Sequence, residues 1–257
     1  MNSESTATEP DSSRLAPHRD LPEFYESRAQ RPEFVMRLFD ETARYYDRIS
    51  GVLSFGSCKV YRKMALRRAG LAPGMRLLDV ATGTGLAAAA ALQLGLKPAE
   101  IVGLDPSIGM LLENQKLRPV GLVQARGETL PFADETFDFI SMGYALRHVE
   151  DLGMLFREFR RVLKPGGRVL VMEITRPESK LGFAIAGLYL GKILPALTRL
   201  FTRNKDAAHL MKFYWATIAE CVPPASILAA LENSGLKNAN RYKMGGMLSD
   251  YSAEKLN

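Results

Sequence analysis

Residues 77–90 read LLDVATGTGLAAAA. A short apolar run closes on G-T-G and opens into an alanine run, which is the order strand, glycine turn, helix. A strand that is apolar throughout is buried on both faces and needs parallel neighbours joined by helical crossovers. The chain supplies them: EIVGLD (100–105), FDFISMGY (137–144) and RVLVMEI (168–174) read as strands, with a shorter one at 121–125. Helical patterns at 86–94, 107–115 and 151–163 separate them. In the last, Leu152, Leu155, Phe156, Phe159 and Val162 recur at three- and four-residue spacing. KPGG (164–167) reads as a turn and NRYKMG (240–245) as a last strand. The expected architecture is α/β, a Rossmann-like doubly wound sheet.

Helical patterns flank this core. Pro32 opens one in which Phe34, Val35, Leu38, Phe39, Tyr45, Tyr46 and Ile49 share a face, and a shorter one covers 57–69. Residues 181–231 read as helical throughout, with a break at Pro223-Pro224. Residues 1–30, rich in acids and prolines and without an apolar h-region, read as a solvated arm. The most apolar stretch, 181–201, has eleven uncharged residues before Lys192, short of the roughly 20 that a spanning helix needs. Cys58 and Cys221 form no metal or redox spacing and read as reduced thiols.

The charge of +6 is uneven: residues 176–257 carry eleven Lys/Arg against six acids, and residues 1–31 four against six. A basic, apolar C-terminal region suits a membrane surface or an acidic substrate. Nucleic acid is not expected, for lack of denser clustering.

Ligands in such a sheet sit beyond the C-terminal strand ends, where strand order reverses. Gly83 and Gly85 let backbone approach a ligand closely. Asp105 ends the second strand 20 residues after Gly85 and is spaced to accept hydrogen bonds from a ribose diol. A dinucleotide and S-adenosylmethionine (SAM) both fit these features. Asp79 tilts the choice to SAM, because it would face a cationic amino group and repel a pyrophosphate. The loop also lacks a Lys or Arg for phosphate charge, and no second nucleotide half is evident.

The segments LFDETARYYDRISGVLSFG, LLDVATGTG, GLDPSIGML, ETLPFADETFD, YALRHVED and RVLKPGGRVLVMEITRP follow one another within residues 36–177. Together they resemble the ubiquinone/menaquinone C-methyltransferases (UbiE-type) among class I SAM-dependent methyltransferases. The resemblance implies seven strands, SAM as methyl donor, and cofactor contacts at Asp79, Gly83, Thr84, Gly85 and Asp105. Ala81, Pro106, Arg126, Gly127 and Gly143 complete the expected cofactor set. It divides the chain into an arm (1–30) and one methyltransferase domain (31–257): helical lid 31–70, SAM-binding core 71–177, and substrate-covering helices and last strands 178–257, with a helical insertion near 181–222.

Several positions depart from the family's pattern. Arg126-Gly127 stands where an acceptor for the adenine amino group is usual, Gly143 replaces a serine, His148 replaces an asparagine, and Ser50 replaces another. The C-terminal third matches poorly. Two catalytic candidates follow from YALRHVED. Arg147, a permanent cation, would hold an oxyanion or orient a water, with a salt bridge to Asp47 or Glu150 as the structural alternative. His148 would be a general base or a plain hydrogen-bonding group. Tyr46, Phe55, Arg147 and Tyr189 are the expected substrate contacts.

The expected activity is SAM-dependent C-methylation of an apolar aromatic acceptor such as a quinol precursor. O- or N-methylation of a small secondary metabolite, and a SAM-binding non-catalytic partner subunit, stay open. The expected location is cytoplasmic, with peripheral contact at the inner membrane face and a homodimer as further partners to test.

Overall fold

The computed structural model describes residues 15–54, 57–202 and 205–256. Seven strands form one sheet: β1 (Leu77–Val80), β2 (Ile101–Asp105), β3 (Gly121–Gln124), β4 (Phe137–Gly143), β5 (Leu163–Ile174), β6 (Lys237–Met244) and β7 (Leu248–Glu254). Their order is β3-β2-β1-β4-β5-β7-β6. β1 to β5 run parallel, and β7 lies antiparallel between β5 and β6. All four residues of β1 are buried, because helices cover both faces of a parallel sheet. From β1 the chain winds outward to β3, then returns to β4 on β1's other side. The crevice between the C-terminal ends of β1 and β4 is therefore the switch point.

Helices α2 (Ser57–Arg68) and α3 (Leu86–Gln93) pack on one face of the sheet. The small side chains Ala87, Ala88, Ala90 and Ala91 of α3 are all buried. On the other face lie α5 (Leu152–Val162) and α9 (Pro224–Asn233). Asp151 caps α5, accepting hydrogen bonds from the Gly153 and Met154 N–H groups. The five apolar residues that predicted this helix are all buried, each contributing about 1.5–3 kcal/mol. Helix α4 (Ile108–Leu117) follows β2, with Ser107 as its N-cap.

A third cluster caps the strand ends. It joins α1 (Arg31–Ser54) and α8 (Lys205–Ala219) to a helical rod, Lys180–Leu200, of 21 residues. The rod comprises α6 (Lys180–Leu188), a π-helical turn (Tyr189–Ile193) and the start of α7 (Leu194–Thr202).

Four expectations need correction. Residues 15–30 are not a solvated arm: Leu21 and Tyr25 are buried in the third cluster, and the Pro17 carbonyl accepts the Val222 N–H. Their apolar LPEFY segment outweighs the polar surroundings that suggested disorder. KPGG is not a separate turn but the first part of β5. Gly166 takes φ +76, the register against β4 slips between Phe137 and Phe139, and Gly166 and Gly167 pair with Lys255. The seventh strand, β7, escaped strand patterning because Ser249 and Asp250 are buried beside Tyr251. Finally, 180–200 is long and apolar enough to cross a membrane by length and composition; Lys192 does not interrupt it. One side packs on α8, with Gly187 and Gly191 against the Trp215 indole. The other exposes Leu181, Ile185, Leu188 and Leu200.

Candidate functional site

A cavity of about 450 Å³ opens at the switch point, within the usual ~300–1,000 Å³ of small-ligand sites. Gly83 takes φ +54 and lines it; Gly85 takes φ +84 and starts α3. A side chain on Gly85 would run into Asn114, whose amide donates to the Gly83 carbonyl (3.2 Å) and holds the loop. Asp105 lines the cavity and accepts the N–H groups of Gly83 (2.8 Å) and Ser107 (2.9 Å). Burial pushes its carboxyl up to about 6, although both N–H groups favour the charged form.

Seven of the ten expected cofactor residues form the wall: Ala81, Gly83, Asp105, Pro106, Arg126, Gly127 and Gly143. Asp79, Thr84 and Gly85 stand behind it. Asp79 is buried and accepts hydrogen bonds from Thr82 (2.7 Å) and Ser141 (2.6 Å), so its carboxylate braces the loop instead of lining the cavity. Thr84 donates to Asp47 of α1. Arg126 is paired with Glu150 (2.7 Å) and Glu128 (3.9 Å).

Helix α1 lies over the cavity, contributing Glu33, Val35, Met36, Phe39 and Tyr46. Two carboxylates fasten it. Asp40 accepts from the Ser107 hydroxyl (2.6 Å) and the Gly109 N–H (2.8 Å) at the start of α4, and Asp47 accepts from Thr84.

A second cavity, about 380 Å³, adjoins the first; Tyr46 and Tyr144 belong to the walls of both. Its walls are mostly apolar, from the rod (Ile185, Leu190, Leu194), α8 (Met211, Trp215, Ile218) and the β7 start (Leu248). Tyr189 lines it from the π-helical turn; such turns often sit at functional sites. Tyr144, on the partition, takes φ +61, a conformation costing about 1–3 kcal/mol. Its N–H donates to the Met172 carbonyl (2.7 Å), and its ring lies under the Arg62 guanidinium (4.8 Å). The Tyr46 and Tyr214 hydroxyls are 3.4 Å apart. Burial, with Tyr214 beside it, pushes the Tyr46 phenol well above its ordinary value.

Arg147 lines neither cavity. It is fully buried, pairs with Glu173 (3.3 Å), stacks over Tyr214 (4.7 Å) and donates to the Tyr144 carbonyl (3.4 Å). Neither Asp47 nor Glu150 is its partner, since Thr84 and Arg126 occupy them. His148 lines the first cavity among Phe39, Phe213 and Tyr214. Both its ring nitrogens are buried without a partner among the described residues. Burial, then Arg147, lowers it well below the ordinary histidine value, so the ring is neutral. Phe55 lies outside the described residues. Arg62, Tyr214 and Trp215 were missed, because their helices carry no motif; only tertiary packing brings them together.

The sheet order and the first cavity define a class of protein. The wall carries Glu33, Asp105 and Glu128 against the already paired Arg126. That acidic balance favours a ligand with a sulfonium and an amino group and disfavours a diphosphate. With an acidic residue at the end of β2 and a glycine loop after β1, it fits the SAM-dependent methyltransferases of the Rossmann-like class.

Comparison with known proteins gives the family. Residues 25–253 match the ubiE/COQ5 methyltransferase family. The ubiquinone/menaquinone biosynthesis C-methyltransferase UbiE of Shewanella baltica is 36% identical over 185 residues, covering 69% of this chain and 74% of its own. The same enzyme of Shewanella putrefaciens matches to the same extent. A SAM-dependent methyltransferase of Thermotoga maritima shares the fold at TM-score 0.60 and 22% identity, over 86% of this chain and 99% of its own. Phosphoethanolamine N-methyltransferase 2 of Haemonchus contortus, solved with SAM, aligns at TM-score 0.54 and 16% identity over 77% of this chain and 52% of its own. The chain belongs to the ubiE/COQ5 methyltransferase family, and its cofactor is S-adenosyl-L-methionine.

Proposed function

We propose that this enzyme C-methylates an apolar aromatic acceptor of the quinol-precursor type, bound in the second cavity. The observation that carries this reading is the pair of adjoining cavities, one acidic and nucleoside-sized, the other mostly apolar, sharing Tyr46 and Tyr144. The relatives named above support the quinone class. In this reading residues 31–257 work as one unit, with lid 31–70, cofactor core 71–177 and acceptor cover 178–257.

Bound SAM supplies an electrophilic methyl group. The chain's own residues bind, orient, exclude water and manage one proton. Gly83 and Asp105 hold the nucleoside, Asp105 through the ribose hydroxyls, with Ala81, Pro106, Arg126, Gly127 and Gly143 around it. Asp79, Thr84 and Gly85 shape that loop from behind. Tyr46 and Tyr144 set the ring of the acceptor against the donor. His148, neutral, borders the cofactor cavity with both ring nitrogens buried, and would have to turn its ring to take the ring proton. Arg147 acts as a positioning residue: by holding the Tyr144 carbonyl and the Tyr214 ring it fixes the partition. Tyr189 and its neighbours on the rod cover the acceptor's apolar part.

The experiment is turnover of labelled SAM with a demethylated quinol analogue, the product located by mass spectrometry and NMR. A methyl on a ring carbon supports the reading. A methyl on oxygen or nitrogen overturns it in favour of a secondary-metabolite enzyme. SAM binding without product from any quinol or cell lipid extract points to a non-catalytic subunit.

The exposed face of the rod, with Leu181, Ile185, Leu188 and Leu200 beside Lys180, Lys192 and Arg199, supports peripheral contact with an anionic lipid surface. Ile185 both faces solvent and lines the acceptor cavity, so an apolar acceptor would enter from that side. Co-sedimentation with vesicles containing anionic lipid, lost in Leu181→Glu/Leu188→Glu, is the expected result. No sedimentation of the wild type, or equal sedimentation of both, would remove the membrane contact.

A further inference from the structure

Among the residues lining the acceptor cavity, Arg62 is the one with a permanent charge. It lies in the middle of α2, is only 4% exposed, and reaches the wall beside Cys58 and Tyr144. Burying a guanidinium costs several kcal/mol unless partners compensate. Four other arginines of the fold are compensated by carboxylates: Arg147 has Glu173, Arg126 has Glu150, Arg161 has Glu158 and Arg68 has Asp250. The buried Arg31, which lines neither cavity, donates to the Arg147 carbonyl. Arg62 pairs with no carboxylate among the described residues. One N–H reaches the Cys58 carbonyl at 3.3 Å, and the Tyr144 ring lies 4.8 Å below the guanidinium. A guanidinium offers five N–H donors, and the rest of this set carries no partner among the described residues.

We propose that Arg62 is the anion-binding group of the acceptor cavity and takes the ionised ring oxygen next to the carbon that is methylated. This rests on the reading of the second cavity as the acceptor site. It narrows the acceptor to aromatics with a phenolic oxygen at the head and an apolar remainder. The head lies at Arg62 beside Tyr46 and Tyr144, the two residues shared with the cofactor cavity, and the remainder lies along Leu190, Leu194 and Trp215.

In the transfer, the phenolate's electron pair moves into the ring as the carbon ortho to it forms the new C–C bond and the donor's carbon–sulfur bond breaks. The sulfonium's positive charge and the phenolate's negative charge cancel. The ring hydrogen then leaves as a proton to the base, and the aromatic phenolate is restored on Arg62. The cation favours the nucleophilic, ionised acceptor over the neutral phenol. The other titratable groups of this cavity are Cys58 of α2, Tyr46 of α1, Tyr144 after β4, Tyr189 of the π-helical turn and Tyr214 of α8; none is a carboxylate. Asp79 acts on it from a distance and is itself held by Thr82 and Ser141.

Two measurements test this on the full chain with SAM bound. The first needs no turnover: 4-nitrophenol is titrated with acid and base in the presence of wild type, Arg62→Met and Arg62→Lys, its ionised form read by visible absorbance. Wild type and Arg62→Lys should hold the bound probe ionised at proton activities about tenfold or more above those at which the free probe protonates, and Arg62→Met should abolish that shift. The second is the pH profile of kcat with a quinol acceptor. Its acid limb should move to higher pH in Arg62→Met, with SAM affinity unchanged, and return in Arg62→Lys. An unshifted probe in wild type overturns the proposal, as does an acid limb that stays in place while the rate falls. A shifted probe without methylated product would instead leave Arg62 as an anion site and overturn the quinol reading. If Arg62→Met does not fold, wild type decides the probe measurement against free 4-nitrophenol, and Arg62→Gln replaces it in the rest.

Discussion

Asp105 and Arg147 make opposite uses of burial. Burial pushes the Asp105 carboxyl up to about 6, so it carries a proton in much of the free enzyme at mildly acidic pH. Accepting ribose hydroxyls requires the ionised form, so a proton must leave as SAM binds. SAM affinity should therefore be flat at neutral pH and fall by up to about tenfold per pH unit below 6, measured by calorimetry from about pH 8 to pH 5. Asp105→Asn should weaken binding at neutral pH and lose this acid dependence. A pH-independent wild type would rule out Asp105 as the ribose ligand. Arg147 is buried against Glu173. Arg147→Met leaves that carboxylate unpaired and should cost about 3–5 kcal/mol in urea unfolding, most of it recovered in Arg147→Met/Glu173→Met. A stable Arg147→Met with lost turnover would give Arg147 a chemical role instead. The sequence marked Arg147 as important but not why, because Glu173 is 26 residues away and looks like an ordinary strand residue.

At the scale of elements, local signals were reliable where burial and polarity agree. The apolar stripe of α5 and the continuous run of β1 predicted both elements within a residue or two. They failed at β7, where Ser249 and Asp250 are buried because Thr175 and Arg68 supply partners from elsewhere in the fold. The rod is a third case. Its run of small and apolar residues reads as helix, but only α8 explains the glycines: a methyl on Gly191 would come within 2.8 Å of the Trp215 indole. Gly191→Ala should overpack that seam and cost about 1–3 kcal/mol, lowering the melting temperature. It should also raise KM for the acceptor, because Trp215 lines the cavity proposed to hold it. An unchanged melting temperature and KM would mean that the rod gives way freely there.

The molecule as a whole combines a Rossmann-like sheet, largely legible in sequence, with a cap whose assembly was not. Residues 15–30 with α1, and the rod with α8, are two stretches far apart in sequence, and their pairing depends on shape more than on any periodic pattern. Two histidines in and around this cap set its acid limit. Burial lowers His18 to about 4 from 6.5, and holds His148 well below its ordinary value. Both take up protons in the unfolded chain before the native one, so the stability present above about 6.5 is lost as pH falls toward 4. Asp105, pushed up to about 6, works against this trend over part of the range. Chemical unfolding across that window should show falling stability, with a shallower slope in His18→Gln; equal slopes would exclude His18. Asp40 and Asp47 have a consequence for timing. They tie one long helix to two separate parts of the cofactor cavity, the α4 start and the glycine loop, so both ties must yield before that helix can swing clear. Methyl transfer turns a cation into a neutral thioether and removes the charge that the acidic wall attracts. The spent donor thus weakens its own hold just when the latch must open, which makes departure of the by-product, and not the transfer itself, the step that the latch can meter.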